Sequence, residues 1–430
     1  MADPLKRNPG LGGPSALHAG RAEEVAAAFD PLTLPAAFYD DPFPTYDALR
    51  SWDPVHRCPD GSYFLTRYDD LIAIYKDARR FSSDKKKEFG PKYGATPLYE
   101  HHTTSLVFND PPLHTRVRRL IAGALTPAAI ARMEPDLVRL VDVLLDRAED
   151  AGRIDLIDDF AGAIPVEVIG NLLDVPHADR DPLRGWSLAI LGALEATVSE
   201  EAMARGNAAV TEFLDYLRGL VAARRRKPGD PRSDVLTRLI QGEADGERLT
   251  ETELLQNCIF ILNAGHETTS NLIGNGLVAL TDWPAERRRL IEDPGLVKTA
   301  VEEVLRFESS NQLGNRITRE AVEVGGVAMP AETRITLCIG AANRDPAQFP
   351  DPDRFDISRT PNRHLAFGAG PHICAGLSLA RLEGQIAIGR FVARFPRYEV
   401  TEPPRRARRA RFRGFVSAPA VVTPKRASRD

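Results

Sequence analysis

Cys374 lies in the stretch FGAGPHICAG, residues 367–376, which holds three glycines and places His372 two residues before the cysteine. Glycine permits close backbone approaches that a side chain would forbid, so the pattern indicates a large flat group packed against the main chain. The loop leads directly into a segment with helical apolar spacing. The Cys374 sulfur is therefore expected near free helix N–H groups and the positive end of the helix dipole, which favour a thiolate suited to haem iron.

Two other interpretations of Cys374 compete with this one. A single cysteine is most often a small buried hydrophobic residue, and His372 is close enough in sequence to act as the base of a catalytic thiol. His372 lies on a glycine-rich loop, however, where it is free to point away from the sulfur, and a thiol–imidazole pair has no use for the glycines. The complete pattern Phe-Gly-x-Gly-x-His-x-Cys-x-Gly favours the cofactor interpretation.

This pattern resembles the haem-binding signature of the cytochrome P450 family, the haem-thiolate monooxygenases, and matches it at every fixed position. The resemblance implies that Cys374 is the axial ligand of the iron of haem b and that His372 meets a haem propionate. It also implies that Phe367 packs near the macrocycle beneath the sulfur, with Gly368 and Gly376 completing the cofactor-binding loop.

A second motif, NAGHETTSNLIGNGL, lies in a long helical stretch. Thr250 and Glu253 form a capping-box pattern at its start. A helix from about Thr250 to Trp283 spans roughly 50 Å, which is long enough to cross a whole domain. Ala264 and Gly265 in its middle are small, so a planar ligand can lie close to the backbone there.

Glu267 and Thr268 follow directly on this helix. The Thr268 hydroxyl can donate to the carbonyl of Ala264 and open the helix locally, and an adjacent carboxylate can relay protons. Alternatively, the threonines only lower the helix propensity and Glu267 faces water. The motif resembles the family's oxygen-activation segment, which implies that Thr268 acts in O2 activation, that Glu267 belongs to the proton path and that Ala264 contacts the haem.

A third cluster, NDPPLHTRVRRLI, places His114 and Arg118 one turn apart on a helix that Asp110 can cap. A solvated basic face is the default explanation, although partly buried carboxylates need such donors. The stretch resembles the family's propionate-binding helix, with Arg316 in LGNRITRE as the third site. The resemblance implies that both residues, together with Arg316 and His372, bind the haem propionates.

Glu303 and Arg306 in AVEEVLRFESS have the i, i+3 spacing of a charge-assisted pair on a helix. Such a pair on a surface contributes little. The spacing resembles the family's Glu-x-x-Arg pattern, which implies that Arg354 in FPDPDRF completes a buried network that supports the Cys374 loop.

The substrate-binding side chains are inferred only from the family's positions: Phe260, Asn263, Ala264, Gln312, Leu313 and Phe415. The amides of Asn263, Asn311 and Gln312 indicate a substrate with a hydrogen-bonding group such as a hydroxyl, carbonyl or carboxylate. Residues 84–107 are expected to form a mobile lid over the site.

The composition is that of an ordinary globular protein. The formal net charge is −4 and the pI is near 6.2, which offers no general attraction to nucleic acid or anionic membrane. The four cysteines are widely spaced, and the sequence shows neither a secretory signal nor an uninterrupted apolar run of about 20 residues. These features favour a cytoplasmic protein without a membrane anchor.

The arginine-rich run PPRRARRARFRGF is interpreted as an exposed strand edge, with Gly414 and Phe415 turned toward the pocket, rather than as a nucleic-acid site.

The apolar spacing predicts a mainly α protein with a minor β part. The segment PVHRCPDGSYFL predicts a strand, a turn and a second strand, and the segment AVEVGGVAMPAETRITLCIG predicts the same pattern again. Residues 1–30 are expected to be a flexible leader and residues 31–430 a single domain. By resemblance, this is the cytochrome P450 fold, with a large helical region, a small β-rich region and the long central helix crossing over haem. Helical spacing recurs around residues 135–150, 161–174, 206–226, 251–283, 296–307 and 376–396.

The implied reaction is the insertion of one oxygen atom of O2 into a small organic molecule, by hydroxylation or oxidative dealkylation. No Rossmann fingerprint and no flavin or iron–sulfur segment is present, so electrons from NAD(P)H are expected through a separate ferredoxin and its reductase. Arg116, Arg119 and Arg363 are candidates for docking the ferredoxin. The protein is expected to be a monomer.

There are two alternatives to a monooxygenase. One is a peroxygenase or dehydratase on the same scaffold, and the other is a non-catalytic haem-binding protein. The Glu267–Thr268 pair favours O2 activation over both.

Overall fold

The computed structural model describes residues 16–231, 234–244 and 247–424. Helices dominate these ranges, as the apolar spacing predicts, and each predicted helical segment is present. The helices are α1 (Ala16–Ala27), α2 (Ala36–Asp40), α3 (Phe43–Trp52), α4 (Tyr68–Lys76), α5 (Lys86–Tyr93), α6 (Pro97–Thr104), α7 (Leu113–Ala124), α8 (Pro127–Ala151), α9 (Ala163–Leu172), α10 (Asp181–Gly192), α11 (Glu200–Arg226), α12 (Val235–Gln241), α13 (Glu251–Asp282), α14 (Pro284–Glu292), α15 (Val297–Phe307), α16 (Ile339–Ala342) and α17 (Leu377–Arg394).

The β part is small and divided among several sheets. The largest has the order β1-β2-β10-β7-β3, and only β2 and β10 run parallel. Both predicted strand–turn–strand units are confirmed. The strands are β1 (Val55–Arg57), β2 (Tyr63–Leu65), β3 (Phe81–Ser82), β4 (Arg153–Asp155), β5 (Glu243–Ala244), β6 (Glu247–Arg248), β7 (Leu313–Thr318), β8 (Val322–Val324), β9 (Val327–Met329), β10 (Arg334–Cys338), β11 (Arg397–Val400), β12 (Arg405–Arg406), β13 (Phe415–Ser417) and β14 (Pro419–Thr423).

Helix α13 is the central element. The predicted capping box is present at its start, since the Thr250 hydroxyl accepts from the Glu253 N–H at 3.2 Å and the Glu253 carboxylate accepts from the Thr250 N–H at 2.9 Å. Most of the helix is buried in two hydrophobic core clusters. One cluster includes its residues up to Leu262, and the other includes its residues from Leu272 onward. The polar motif at 263–271 lies between these clusters. A buried helix of this length can therefore hold polar groups at a fixed place inside the protein.

The expected flexible leader does not extend to residue 30. Helix α1 begins at Ala16, and its sequence is rich in alanine, the residue with the highest helix propensity. Ala26 and Phe29 are buried, and the Phe29 ring lies 4.8 Å from that of Phe64 on β2. This packing ties the segment to the sheet. Residues 1–15 lie outside the described residues.

The predicted lid segment, residues 84–107, contains the two short helices α5 and α6. Their inner faces carry an aromatic cluster in which the Phe89, Tyr93 and His102 rings lie 5.2 to 5.7 Å apart. Its mobility stays a prediction.

The arginine-rich run is not an exposed strand edge. Of its arginines, only Arg405 and Arg406 belong to a strand, and the side chains of Arg406, Arg409 and Arg413 reach inward to carboxylates of Glu267 and Glu308. Arg406 and Arg413 pair with Glu308 at 3.4 and 2.7 Å. The sequence-based interpretation was wrong because a buried carboxylate requires a cation, and this segment supplies it.

None of the helices in the described ranges combines the length and the apolar content needed to cross a bilayer.

Candidate active site

Cys374 lies three residues before α17, as predicted, on a loop held by its own backbone. The Cys374 N–H donates to the Phe367 carbonyl at 2.9 Å. Gly368 and Gly370 have φ values of +65° and +68°, where a side chain would be strained. A Cβ at Gly370 would also overlap the Tyr75 carbonyl on α4. The glycines therefore shape a tight loop that faces its cysteine toward a cavity.

Burial raises the pKa of the Cys374 thiol, although the Gly376 N–H, Arg118 and Arg381 lower it. The Gly376 N–H acts in the direction that the sequence predicts, but desolvation of the charge outweighs it and the two arginines. A thiolate at this position needs a cation, and a metal ion is the strongest cation for a sulfur ligand.

The cavity in front of Cys374 has a volume of about 340 Å³ and extends to α13. Ala264 is exposed to it although the neighbouring turns of the helix are buried. Phe367, Gly368, Gly376 and Thr268 also line it, which confirms that the two separate motifs face one space. Residues with small or no side chains, including Ala264, Gly265, Gly368 and Gly376, line this space on both sides, so a flat cofactor can lie close to the backbone there.

Four predicted donors converge on the same cavity. The His114 and His372 rings lie 3.9 Å apart, and neither Nε2 atom has a hydrogen-bond partner although both are buried. Arg118 and Arg316 line the cavity beside them. Burial lowers the pKa of both imidazoles, that of His372 to about 3, and the charge of Arg316 lowers them further.

These groups match what haem requires of a protein. Two unpartnered buried imidazole nitrogens and two guanidinium groups are suited to a pair of propionates, because buried donors without acceptors are rare unless a ligand satisfies them. The sulfur of Cys374 would ligate the haem iron, and the glycine loop would leave room for the macrocycle. The residues therefore fit haem.

Thr268 and Glu267 lie on adjacent positions of α13 but face different ways. The Thr268 hydroxyl donates to the Ala264 carbonyl at 2.7 Å, which confirms the predicted bond. Glu267 does not line the cavity; instead both its carboxylate oxygens accept from Arg409 Nη1, at 2.5 and 2.7 Å. Burial raises the pKa of Glu267 to about 7 even though Arg409 lowers it. Arg409 was missed in the sequence because 142 positions separate the two residues.

The buried network around Glu303 contains Arg359, not Arg354. Arg306 binds both oxygens of Glu303 at 2.8 Å, and Arg359 Nε donates to Glu303 at 3.2 Å. Arg354 contributes only its carbonyl, which accepts from Arg306 at 3.1 Å, and its side chain is exposed. The backbone turn at Asp351, with φ of +46°, precedes Arg354 and directs the chain so that Arg359 enters the network.

This network also reaches the start of the cysteine loop. Arg306 Nη1 donates to the Asn343 carbonyl at 3.0 Å, and the Asn343 side chain accepts from the Leu365 N–H at 2.6 Å. Leu365 lies two residues before Phe367. The predicted supporting role of Glu303 and Arg306 therefore has a direct path to the Cys374 loop.

Four of the six predicted substrate positions line the cavity: Phe260, Asn263, Ala264 and Leu313. Gln312 and Phe415 do not. Gln312 precedes Leu313, at the start of β7, and its side chain donates to the Ser309 carbonyl at 2.7 Å, away from the cavity. Phe415 lies on β13 with the Arg406 guanidinium 3.8 Å from its ring centre. Asn311 and Phe412, which form a β-bridge, line the cavity in their place.

The lid helix α6 adds polar side chains that the sequence did not point to. His101 lines the cavity and is held between Gln256 and Asn263, at 3.0 and 3.3 Å. Burial lowers its pKa to about 4. The Asn263 Oδ1 and Ser310 Oγ atoms have no partner, so the cavity offers polar atoms to a ligand.

Arg116 is not available for partner docking. Its guanidinium pairs with Glu253 near the start of α13, and the side chain is only 21% exposed. Arg119 and Arg363 are exposed.

Comparison with known proteins agrees with this geometry. The sequence profile of the family described as Cytochrome P450 matches residues 193–420. The chain is 37% identical over 370 residues to the biotin biosynthesis cytochrome P450 of Bacillus subtilis (strain 168), covering 85% of this chain and 91% of that protein. It is 40% identical over 363 residues to the vitamin D(3) 25-hydroxylase of Pseudonocardia autotrophica, covering 84% and 87%.

A solved structure of P450BioI, in complex with an acyl carrier protein that carries hexadec-9Z-enoic acid, superposes with a TM-score of 0.85 at 35% identity. The match covers 90% of this chain and all of that one. Fold, cysteine loop and sequence relatives therefore agree: the chain belongs to the cytochrome P450 family of haem-thiolate monooxygenases.

Proposed function

We propose that this monooxygenase holds haem b through Cys374 and oxidises a largely apolar organic molecule bound between α13, the lid helices and residues 411–412. The observation that carries the proposal is the convergence of the Cys374 sulfur and the unpartnered His114 and His372 nitrogens on one cavity lined by Ala264. Bound haem supplies the O2 chemistry of the family, hydroxylation or oxidative dealkylation.

Three groups of residues would bind the cofactor. Cys374 would supply the sulfur ligand of the iron, and His114, Arg118, Arg316 and His372 would supply donors for the propionates. Anions bound there would raise the pKa of both imidazoles, because opposite charge favours the protonated form. The glycine loop and Ala264 would let the cofactor lie close to the backbone on both of its faces.

Thr268 and Glu267 hold and move protons for the reaction. The Thr268 hydroxyl gives its hydrogen to the Ala264 carbonyl, so its oxygen is oriented to accept from water in the cavity. A pKa of about 7 lets Glu267 gain and lose a proton near neutrality. Since Glu267 faces Arg409, its carboxylate must leave this partner, or pass protons through water, to reach Thr268.

The cavity favours a substrate that is mainly apolar. Phe260, Leu313 and Phe412 line it, and Asn263 and Asn311 add a few polar atoms. One relative is named a vitamin D(3) 25-hydroxylase, and the solved structure of P450BioI is a complex with an acyl carrier protein that carries hexadec-9Z-enoic acid. A similar size and polarity of substrate is proposed here.

A separate ferredoxin supplies the electrons in this proposal, with NAD(P)H and a reductase upstream. Arg119 and Arg363 remain as candidate contacts for its acidic surface. Reversing both charges is expected to slow electron transfer in a salt-dependent way, and an unchanged rate would remove these residues from the interface. We place the enzyme in the cytoplasm and treat it as a monomer.

Replacing the sulfur tests the proposal directly. In Cys374→Ser, the reduced protein is expected to lose the carbon monoxide difference band typical of thiolate-ligated haem, while Cys58→Ser, which alters a buried cysteine outside the cavity, keeps it. A second measurement follows NAD(P)H consumption with ferredoxin and reductase. An unchanged spectrum in Cys374→Ser would refute the assignment, and better turnover with hydrogen peroxide than with ferredoxin would refute the electron route.

A further inference from the structure

We infer that the substrate of this enzyme is a carboxylic acid with an apolar body and that its carboxylate binds the guanidinium of Arg411 in the cavity. This inference rests on the proposed function, because the acid must lie in the cavity that faces Cys374.

Arg411 differs from the other inward-facing arginines of its segment. Arg406 and Arg413 share Glu308, and Arg409 holds Glu267. The Arg411 side chain has only neutral acceptors: its Nη1 donates to the Leu313 carbonyl at 2.9 Å and its Nη2 to the Asn315 side chain. Within the described ranges, no carboxylate pairs with it.

One guanidinium donor of Arg411, the Nε–H, is buried and unused. Its Nε has no partner, and the residue lines the cavity. Leaving a charged donor buried without an acceptor is costly. The two neutral contacts fix the plane of the guanidinium, so an incoming carboxylate meets an oriented cation rather than a flexible one.

The charges around Arg411 leave a local excess of positive charge. Lys85, which also lines the cavity, is paired with Glu88 at 2.6 Å. Lys92 donates to the backbone carbonyl of Glu195 at 2.6 Å, and no carboxylate among the described residues forms an ion pair with it. Burial lowers the pKa of Lys92 to about 8, and the charge of Arg411 lowers it further.

Glu195 is the other carboxylate in this region, and it is already engaged. Its oxygens accept from the backbone N–H groups of Ala410 and Arg411 at 2.9 to 3.4 Å. It therefore positions the backbone of Arg411 rather than neutralising its side chain. One added carboxylate would balance the remaining charge.

The surroundings select the rest of the ligand. Phe260, Leu313 and Phe412 line the same cavity and are suited to an aliphatic or aromatic body. Ser83, two residues before Lys85, also lines it and has a buried hydroxyl without a partner. An acid with an apolar chain uses both features, whereas a neutral sterol-like molecule leaves Arg411 unpaired.

Matched acids and amides test this inference without knowledge of the natural substrate. The haem-loaded protein is titrated at about pH 7.5, where carboxylic acids are ionised, with dodecanoic acid, dodecanamide, phenylbutyric acid and phenylbutyramide. The dissociation constant is read from the Soret shift and from calorimetry. Each acid is expected to bind at least about tenfold tighter than its amide, the difference typical of a charge-assisted hydrogen bond.

Variants assign the preference to Arg411. In Arg411→Gln the acid-to-amide ratio is expected to fall to within about twofold, with the amide constants unchanged, and Arg411→Lys is expected to retain part of it. Arg405→Gln, which removes an exposed arginine of the same segment, keeps the wild-type ratio. The carbon monoxide spectrum is recorded for each variant to show that the haem site is intact.

Two results overturn the inference. One is a wild-type protein with the normal carbon monoxide band that shows no acid-over-amide preference for either pair. The other is an Arg411→Gln variant that keeps the preference. Both leave the proposed monooxygenase function standing, whereas loss of the thiolate band in the wild-type protein would refute that function instead.

Discussion

Replacing Arg409 by glutamine is expected to destabilise the protein in a strongly pH-dependent way. Glu267 is 7% exposed and Arg409 19%, so solvent screens their pair only weakly. Burial raises the pKa of Glu267 from 4.5 to about 7. A carboxyl whose pKa is raised on folding stabilises the folded state below its unfolded pKa, and this contribution is lost as the pH rises through the folded pKa.

The size of the effect follows from the charge that is removed. An adjacent arginine lowers a carboxyl pKa by about 1–3 units, each worth about 1.4 kcal/mol. In Arg409→Gln the Glu267 pKa is therefore expected to rise further above about 7. At about pH 6 Glu267 is protonated in both proteins, so this term adds little to the difference in unfolding free energy. At about pH 9 the variant is expected to be less stable by about 1.3–2.7 kcal/mol.

Urea unfolding followed by circular dichroism measures this difference at the two pH values. The same substitution in a Glu267→Gln background is the control, since the titrating group is then absent and the pH-dependent part should vanish. An equal loss of stability at pH 6 and pH 9 in the wild-type background would refute the reasoning, because it would mean that Arg409 acts by packing and not through the charge of Glu267.

Three further predictions concern the network, the oxygen site and the propionate site. Arg359→Gln is expected to cost about 2–4 kcal/mol in urea unfolding because it leaves buried Glu303 short of a cation, whereas Arg354→Gln should change stability by less than about 0.5 kcal/mol; equal costs would contradict the assignment. Thr268→Ala is expected to lower product formed per NAD(P)H about tenfold, with Thr268→Ser near normal, and tight coupling in the alanine variant would contradict its role. His114→Ala should weaken haem retention, measured by transfer to apomyoglobin, about tenfold through one lost charge-assisted bond; an unchanged transfer rate would remove it from the propionate site.

Local spacing predicted the features whose partners are close in sequence. The Thr268–Ala264 bond and the Thr250–Glu253 capping box both follow from the repeat of one helix, and both are present. The hairpin around Gly61 likewise depends on a short turn signal. Interactions of this kind need no knowledge of the tertiary structure.

Features that depend on side-chain direction or distant partners were missed. Asn311 and Gln312 are neighbours in sequence, but side chains alternate in direction along extended backbone. The Asn311 side chain therefore lines the cavity, and the Gln312 side chain points away from it. Arg354 and Arg359 are equally plausible partners of Glu303 until the turn at residue 351 is known. Cys374 shows a third limit, because the balance between desolvation and nearby donors depends on how deeply the sulfur is buried.

The inward-facing arginines of residues 406–413 have a consequence for biosynthesis. The carboxylates that they neutralise, those of Glu267 and Glu308, precede these arginines in the sequence and are therefore synthesised before them. Until this segment emerges, those acids cannot be buried in charged form without a cation, so the nascent protein must leave the region around them hydrated. Closure of the structure around Glu267 and Glu308 is therefore expected to be a late event in synthesis.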